Sequence, residues 1–283
     1  MKTCLITLRD KAVYERNLAD ALRPISSKFL IISAKQLQEK TLEQYDWFFI
    51  IGCSGTRPLF DRIKLAGKNV VLVDKGYWEG REIRSLDNYW KFSVNSFHPC
   101  GYVEKARSYL DRIWTVPDSN FEEYSGSRVI YFSCSKKYHK WFNQDVNTVN
   151  KESIAAIKEV YSGPLYFFCK DSSKIKPPSG TISLKEDNPL KDCRCLITHG
   201  SNSIVGAVSH SVPFICLGNH PLKSLSNKLL EVDSPPKRDY TKVREIEHLI
   251  ANLAYCQWRF TELQLPEFSD YLLESKELNN AVC

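Results

Sequence analysis

Long apolar runs are missing from this chain. Stretches such as Trp47–Ile51 and Pro164–Cys169 are far shorter than the about 20 residues that cross a bilayer, so no membrane span is expected. The first residues, Met1-Lys-Thr-Cys-Leu-Ile-Thr-Leu-Arg9, lack the apolar core and cleavage site of a secretory leader, and a cytoplasmic location follows as the expectation. Cys-x2-Cys and His-x3-His pairs are also absent, and Cys193-x-Cys195 is too tight for a zinc knuckle, so no metal is expected. The cysteines at 4, 53, 134, 169, 195 and 216 fall in apolar segments and are read as buried thiols. No Gly-x-Gly-x-x-Gly follows the first apolar strand, where Leu8-Arg9-Asp10 stands instead, and this argues against a dinucleotide-dependent dehydrogenase. No bound cofactor is expected, and no short tandem repeat points to a solenoid.

What is present is the composition of a soluble globular protein: 283 residues, 43% apolar and 25% charged, enough for two cores. The net charge of +6 suits an anionic partner without choosing one. Apolar runs alternate with amphipathic stretches. Strands are predicted at 3–8, 29–33, 47–52, 69–73 and 90–94, with helices at 12–22, 57–66 and 102–113. The turn-rich stretch 116–127 then interrupts the pattern, which restarts with strands at 128–132, 165–169, 181–184, 195–198 and 213–217. Helices are predicted near 151–161 and at 203–209, 241–259 and 266–278. Strands separated by helices at this spacing imply parallel βαβ units. The expected fold is α/β: two Rossmann-like parallel-sheet domains, 1–120 and 121–283, facing a cleft, with closing helices at the C-terminus.

The stretch Cys195–Asn219 is the most informative. It reads as a buried strand, a polar turn, a short helix and a second buried strand that opens onto Gly218-Asn219-His220. Unpaired N–H groups and the positive end of the helix dipole converge at such a turn, which suits a phosphate. Gly200 lets the main chain come close, and Thr198, His199, Ser201, Asn202 and Ser203 supply more polar groups than one helix cap consumes. Phe132-Ser-Cys-Ser135-Lys136-Lys137 ends the first strand of the second half, where a cation would neutralise a departing phosphate.

This layout, with the 195–219 segment, resembles the GT-B class of glycosyltransferases, and within it the capsule-polysaccharide transferases of the Kdo type. Asn202-Ser203 corresponds to the N-S of their donor-side motif and Gly206 to its helix glycine. Val212-Pro213 and Leu217-Gly218 correspond to the following strand. The resemblance implies that the second domain holds a nucleotide-sugar as co-substrate, through Ser135, Lys136, His199, Gly200, Ser201, Asn202, Ser203, Gly206, Asn219 and His220, without a metal. One departure is plain: the motif's helix glutamate is missing, and Gly206-Ala207-Val208 carries no acid.

The first half offers the acceptor side. Asp74 closes a buried strand where α/β proteins place their chemistry, and is the first candidate for the base that deprotonates an acceptor hydroxyl. His98 is the second. Lys75, Tyr77, Trp78 and Arg81 are the acceptor-binding candidates, since interleaved aromatic and basic groups stack on rings and hold phosphates. Small GT-B proteins also resemble phage enzymes that glycosylate hydroxymethylated DNA bases, so DNA is the first acceptor expected, with a capsular glycan or glycolipid as the alternative. A non-catalytic nucleotide-binding module remains the reading outside the transferases.

Overall fold

The computed structural model describes residues 1–8, 13–75, 89–98, 126–170, 175–236 and 244–282. The chain divides into two compact units, one of residues 1–115 with 247–283 and one of residues 116–246.

The first unit is built on a six-stranded sheet. Five of its strands are β1 (Lys2–Thr7), β2 (Lys28–Ser33), β3 (Trp47–Ile51), β4 (Asn69–Lys75) and β5 (Trp90–Val94), with helices α1 (Val13–Leu22), α2 (Glu39–Gln44) and α3 (Arg57–Leu65) between them. β1 lies between β2 and β3, all parallel, and β4 continues the parallel set beyond β3. β3 is buried along its whole length, as expected of a central strand covered on both faces. α3 starts with Pro58 in its first turn, where a missing N–H costs nothing.

β5 joins antiparallel to β4, with Asp74 opposite Lys91 and Val71 opposite Val94. The sequence pattern assigns the C-terminal helices to the second domain, but the chain returns to the first sheet. Helix α7 (Arg244–Tyr255) leads into the short strand Gln257–Trp258, which pairs with β5, and α8 (Pro266–Val282) follows. Asn279 donates to the Val94 carbonyl at 2.7 Å, and the Tyr271 hydroxyl bonds that of Phe92. Phe268 and Phe260 pack on Phe92 and Trp90. Apolar and aromatic burial against β5 is the reason this segment belongs here.

The second unit holds five strands: β6 (Arg128–Phe132), β7 (Leu165–Phe168), β8 (Ile182–Ser183), β9 (Cys193–Thr198) and β10 (Phe214–Cys216). They lie in the order β10-β9-β6-β7-β8 and every pair is parallel. After β6 the chain builds β7 and β8 on one side, then crosses back to add β9 and β10 on the other. Both sheets are thus Rossmann-like, and the α/β class read from the sequence is the class observed.

Helix α5 (Val146–Val160) starts earlier than the predicted 151–161: Val146 and Val149 are buried in its first turn, and Asp145 caps it by accepting from the backbone N–H groups of Asn147 and Thr148. α4 (Lys136–Trp141) stands where the sequence pattern assigns no element, and α6 (Ser203–Ser209) occupies its predicted residues. The core of this unit gathers Val129, Tyr131, Ile154, Ile157, Phe167, Ile197 and Ile215. Eight cysteines of the described residues are free thiols, all buried, and burial pushes Cys134 and Cys195 up to about 12.

Candidate functional site

The crossover in the second sheet creates a switch point between β6 and β9, and open α/β sheets bind ligands outside the carboxyl ends of such strands. The turn Ser133–Ser135 leaves β6 there and the turn His199–Asn202 leaves β9. Nine of the ten donor-site residues expected from sequence, Ser135, Lys136, His199, Gly200, Ser201, Asn202, Ser203, Asn219 and His220, lie on segments following the carboxyl ends of β6, β9 and β10. The tenth, Gly206, sits inside α6.

Their side chains have different duties. Thr198 Oγ accepts from the Gly200 and Ser201 N–H groups at 3.4 and 3.2 Å, and Ser201 Oγ accepts from the Ser203 N–H at 3.2 Å. These hydroxyls shape the turn. Asn202 is exposed and makes no cap bond, while Ser203 Oγ is a buried atom without a hydrogen-bond partner. Ser135 caps α4 by accepting from the Tyr138 N–H at 3.3 Å. Lys136 begins that helix and is exposed. Gly206 is a packing position, since a Cβ there would meet Leu190 Cδ1 at 2.9 Å. His220 is buried, and its Nδ1 accepts from the Leu222 N–H at 3.1 Å, so it braces the turn after β10 rather than facing outward.

Sequence reasoning missed the residue that ties these turns together. The Tyr138 hydroxyl lies 3.3 Å from the His199 carbonyl and 3.0 Å from that of Asn219. Gly200, with φ of 151°, is required beneath it: a Cβ would strike the Tyr138 hydroxyl and come 2.6 Å from the Asn219 oxygen. Below the site, Ser133 Oγ and the Tyr131 hydroxyl each lie 3.1 Å from Asn150 Oδ1, locking the end of β6 to α5. His139, also unforeseen, is fully buried, and its ring centroid is 5.6 Å from that of His199. Burial lowers the pKa of both imidazoles, and His139 and the Lys223 ammonium lower that of His199 further.

In the first unit Asp74 sits half-buried near the carboxyl end of β4, across from Lys91. His98 follows the far end of β5, which runs the other way. The two candidate bases therefore leave opposite ends of adjacent strands, and the sheet does not bring them together there. His98 is buried, its ring edge-on to Phe97, and the Phe97 carbonyl accepts from Lys91 Nζ at 3.1 Å. Lys75 ends β4. Tyr77, Trp78 and Arg81 lie outside the described residues, as does the helix predicted at 102–113.

The first sheet has a switch point of its own, between β1 and β3. Buried Glu15 accepts from the Leu8 N–H at 3.0 Å just past β1. The turn Gly52-Cys-Ser-Gly-Thr56 follows β3, with φ of 83° at Gly52 and 76° at Gly55. The two glycines before Pro58 were the readable signal for that turn. Glu15 gave none, being one of two acids on an amphipathic helix. Among the described residues no group of three or more His, Cys, Asp or Glu side chains is placed to hold a metal ion, and no helix is long and apolar enough to cross a membrane.

No family model and no curated protein matches the chain. Solved structures do. The chain is similar to Thermosulfurimonas dismutans KpsC, beta Kdo 2,4 transferase, with a TM-score of 0.51 and 14% identity, over 88% of this chain and 89% of that one. It is also similar to Thermosulfurimonas dismutans KpsC, beta Kdo 2,7 transferase, with a TM-score of 0.53 and 9% identity, over 89% and 90%. At these identities the likeness establishes the fold. It agrees with the capsule-transferase resemblance read from residues 202–218 and adds nothing to the DNA-base reading.

Proposed function

We propose that the protein is a glycosyltransferase that moves a sugar from a nucleotide-activated donor to a hydroxyl of an anionic capsular glycan or glycolipid. The observation that carries this reading is the likeness to two Kdo transferases over nearly the full length of both chains. The β6/β9 switch point supports it with the chemistry such a donor needs. The Asn202 and Ser203 side chains at the turn after β9 receive the donor phosphates, and Lys136 offsets the charge that develops on the leaving phosphate as the glycosidic bond breaks. This manner of charge stabilisation is metal-independent.

Asp74 is the base that takes the proton of the acceptor hydroxyl. A net charge of +6 favours encounter with an anionic acceptor. With valine at 208, where the capsule-transferase motif places a glutamate, the donor is held by neutral hydrogen bonds in place of a carboxylate.

The test is a thermal-shift panel of nucleoside diphosphates and nucleotide-sugars. A ligand at a hundred times its dissociation constant stabilises by about 2.7 kcal/mol, so one of them should raise the melting temperature by several degrees. No response to any of them would contradict donor binding. Asp74→Asn should abolish turnover while leaving donor affinity unchanged, and a fully active variant removes Asp74 as the base.

A further inference from the structure

His199 differs from its neighbours in the turn because its ring, and not only its backbone, is fixed. The ring lies against Gly218, where an added Cβ would collide with His199 Nδ1 and with the His199 carbonyl. Nδ1 is buried and has no hydrogen-bond partner. A proton there would be a desolvated donor aimed at a methylene group, whereas a bare lone pair rests against C–H at lower cost. The neutral ring therefore carries its proton on Nε2, which, unlike Nδ1, is not among the buried polar atoms left without a partner.

Behind it His139 is fully buried, with Nδ1 3.3 Å from Gln144 Oε1. That contact keeps the His139 proton on Nδ1 and leaves its Nε2 a buried lone pair without a partner. An imidazolium at position 199 would need a second N–H on the Gly218 side, where nothing accepts it. The groups around the ring act in the same direction. Burial, the His139 imidazole on α4 and the Lys223 ammonium beyond β10 all lower its pKa. Burial raises the thiols of Cys134 and Cys216 and the Tyr138 hydroxyl, so none of them supplies a negative charge near neutrality.

We propose that His199 is a specificity-determining residue of the donor site: a neutral imidazole locked with its proton on Nε2, donating one hydrogen bond to a phosphate oxygen of the nucleotide. This rests on the donor-site reading above. The contact takes up no proton, and it selects for an acceptor oxygen rather than for charge alone.

The experiment is a long-range proton–nitrogen NMR titration of the full chain labelled at histidine, with the His199 signals assigned by their loss in His199→Gln. Between pH 8 and 6 the nitrogens should show the neutral ring protonated at Nε2. Nucleoside mono- and diphosphates added in turn should shift the Nε2 proton downfield, as a new hydrogen bond does. A ring protonated at Nδ1, or an imidazolium in that range, overturns the inference even where a nucleotide binds. Binding seen by thermal shift with His199 unmoved overturns the contact and leaves the donor reading standing, while no binding by either readout overturns both. In His199→Gln the amide N–H reaches the Nε2 position and should keep affinity within about threefold, whereas His199→Asn, too short to do so, should lose roughly tenfold or more. Equal losses in the two variants would also count against the proposal.

Discussion

At the scale of single residues, Tyr138 does the most with one atom, its hydroxyl meeting carbonyls from two different turns. Tyr138→Phe leaves both oxygens short of a donor and is expected to cost about 0.5–1.5 kcal/mol by urea unfolding, with a loss of nucleotide affinity. Retained affinity would show that the turns hold their places without it. The two neighbouring imidazoles make acid sensitivity a second residue-scale expectation. His139 and His199 both have folded pKa values below the ordinary 6.5. Above that value neither state is protonated and stability is flat. As pH falls through the unfolded value the unfolded chain binds protons that the native chain refuses, so stability declines until the lowered native values are passed. Each ring contributes a slope of up to about 1.4 kcal/mol per pH unit. Unfolding curves at pH 7.5 and 5.5 check this, and His139→Phe should flatten part of the difference.

Elements show what a sequence does and does not carry. β3, β6, β9 and α6 were legible because each is either an apolar run or a short apolar helix bounded by turn residues, and β5 because Trp90, Phe92 and Val94 alternate with polar residues. α4 was not: Lys136-Lys-Tyr-His-Lys-Trp141 is too short to show a helical period, and its start is set by Ser135 accepting from the Tyr138 N–H. α5 was legible from 151 only: the buried Val146 and Val149 open its inner face, but β-branched residues among Asn147, Thr148 and Asn150 are a weak helix signal, and its start is fixed by the cap at Asp145. Asp145→Ala is therefore expected to cost about 1 kcal/mol while leaving nucleotide affinity unchanged, since its bonds serve the helix end. A change in affinity would mean that α5 positions the site more tightly than the cap geometry implies. At the site itself the polar turn after β9 was readable from composition, but which hydroxyls it spends on its own backbone was not. Thr198 and Ser201 are used up locally, while Ser203 Oγ is left without a partner. Only coordinates separate these cases.

For the whole molecule, the long return of the chain was the feature least visible in sequence. Asn279 meets Val94 across 185 positions, and no local pattern announces a contact at that separation. The first unit should accordingly depend on the C-terminal segment. Residues 116–246 expressed alone are expected to unfold cooperatively, whereas residues 1–115 should do so only when 247–283 are supplied. A cooperative transition for 1–115 alone would contradict the dependence on α8 and its strand. The claim on which the functional account rests is that the β6/β9 switch point receives the phosphates of an activated sugar. The most direct measurement is calorimetric titration of the full chain and of Asn202→Ala/Ser203→Ala with the nucleoside diphosphate that raises the melting temperature most. The account predicts saturable binding to the wild type, weakened roughly tenfold or more in the variant by the loss of two hydrogen bonds, with the melting temperature of the free protein little changed. Equal affinity in the two proteins would contradict it.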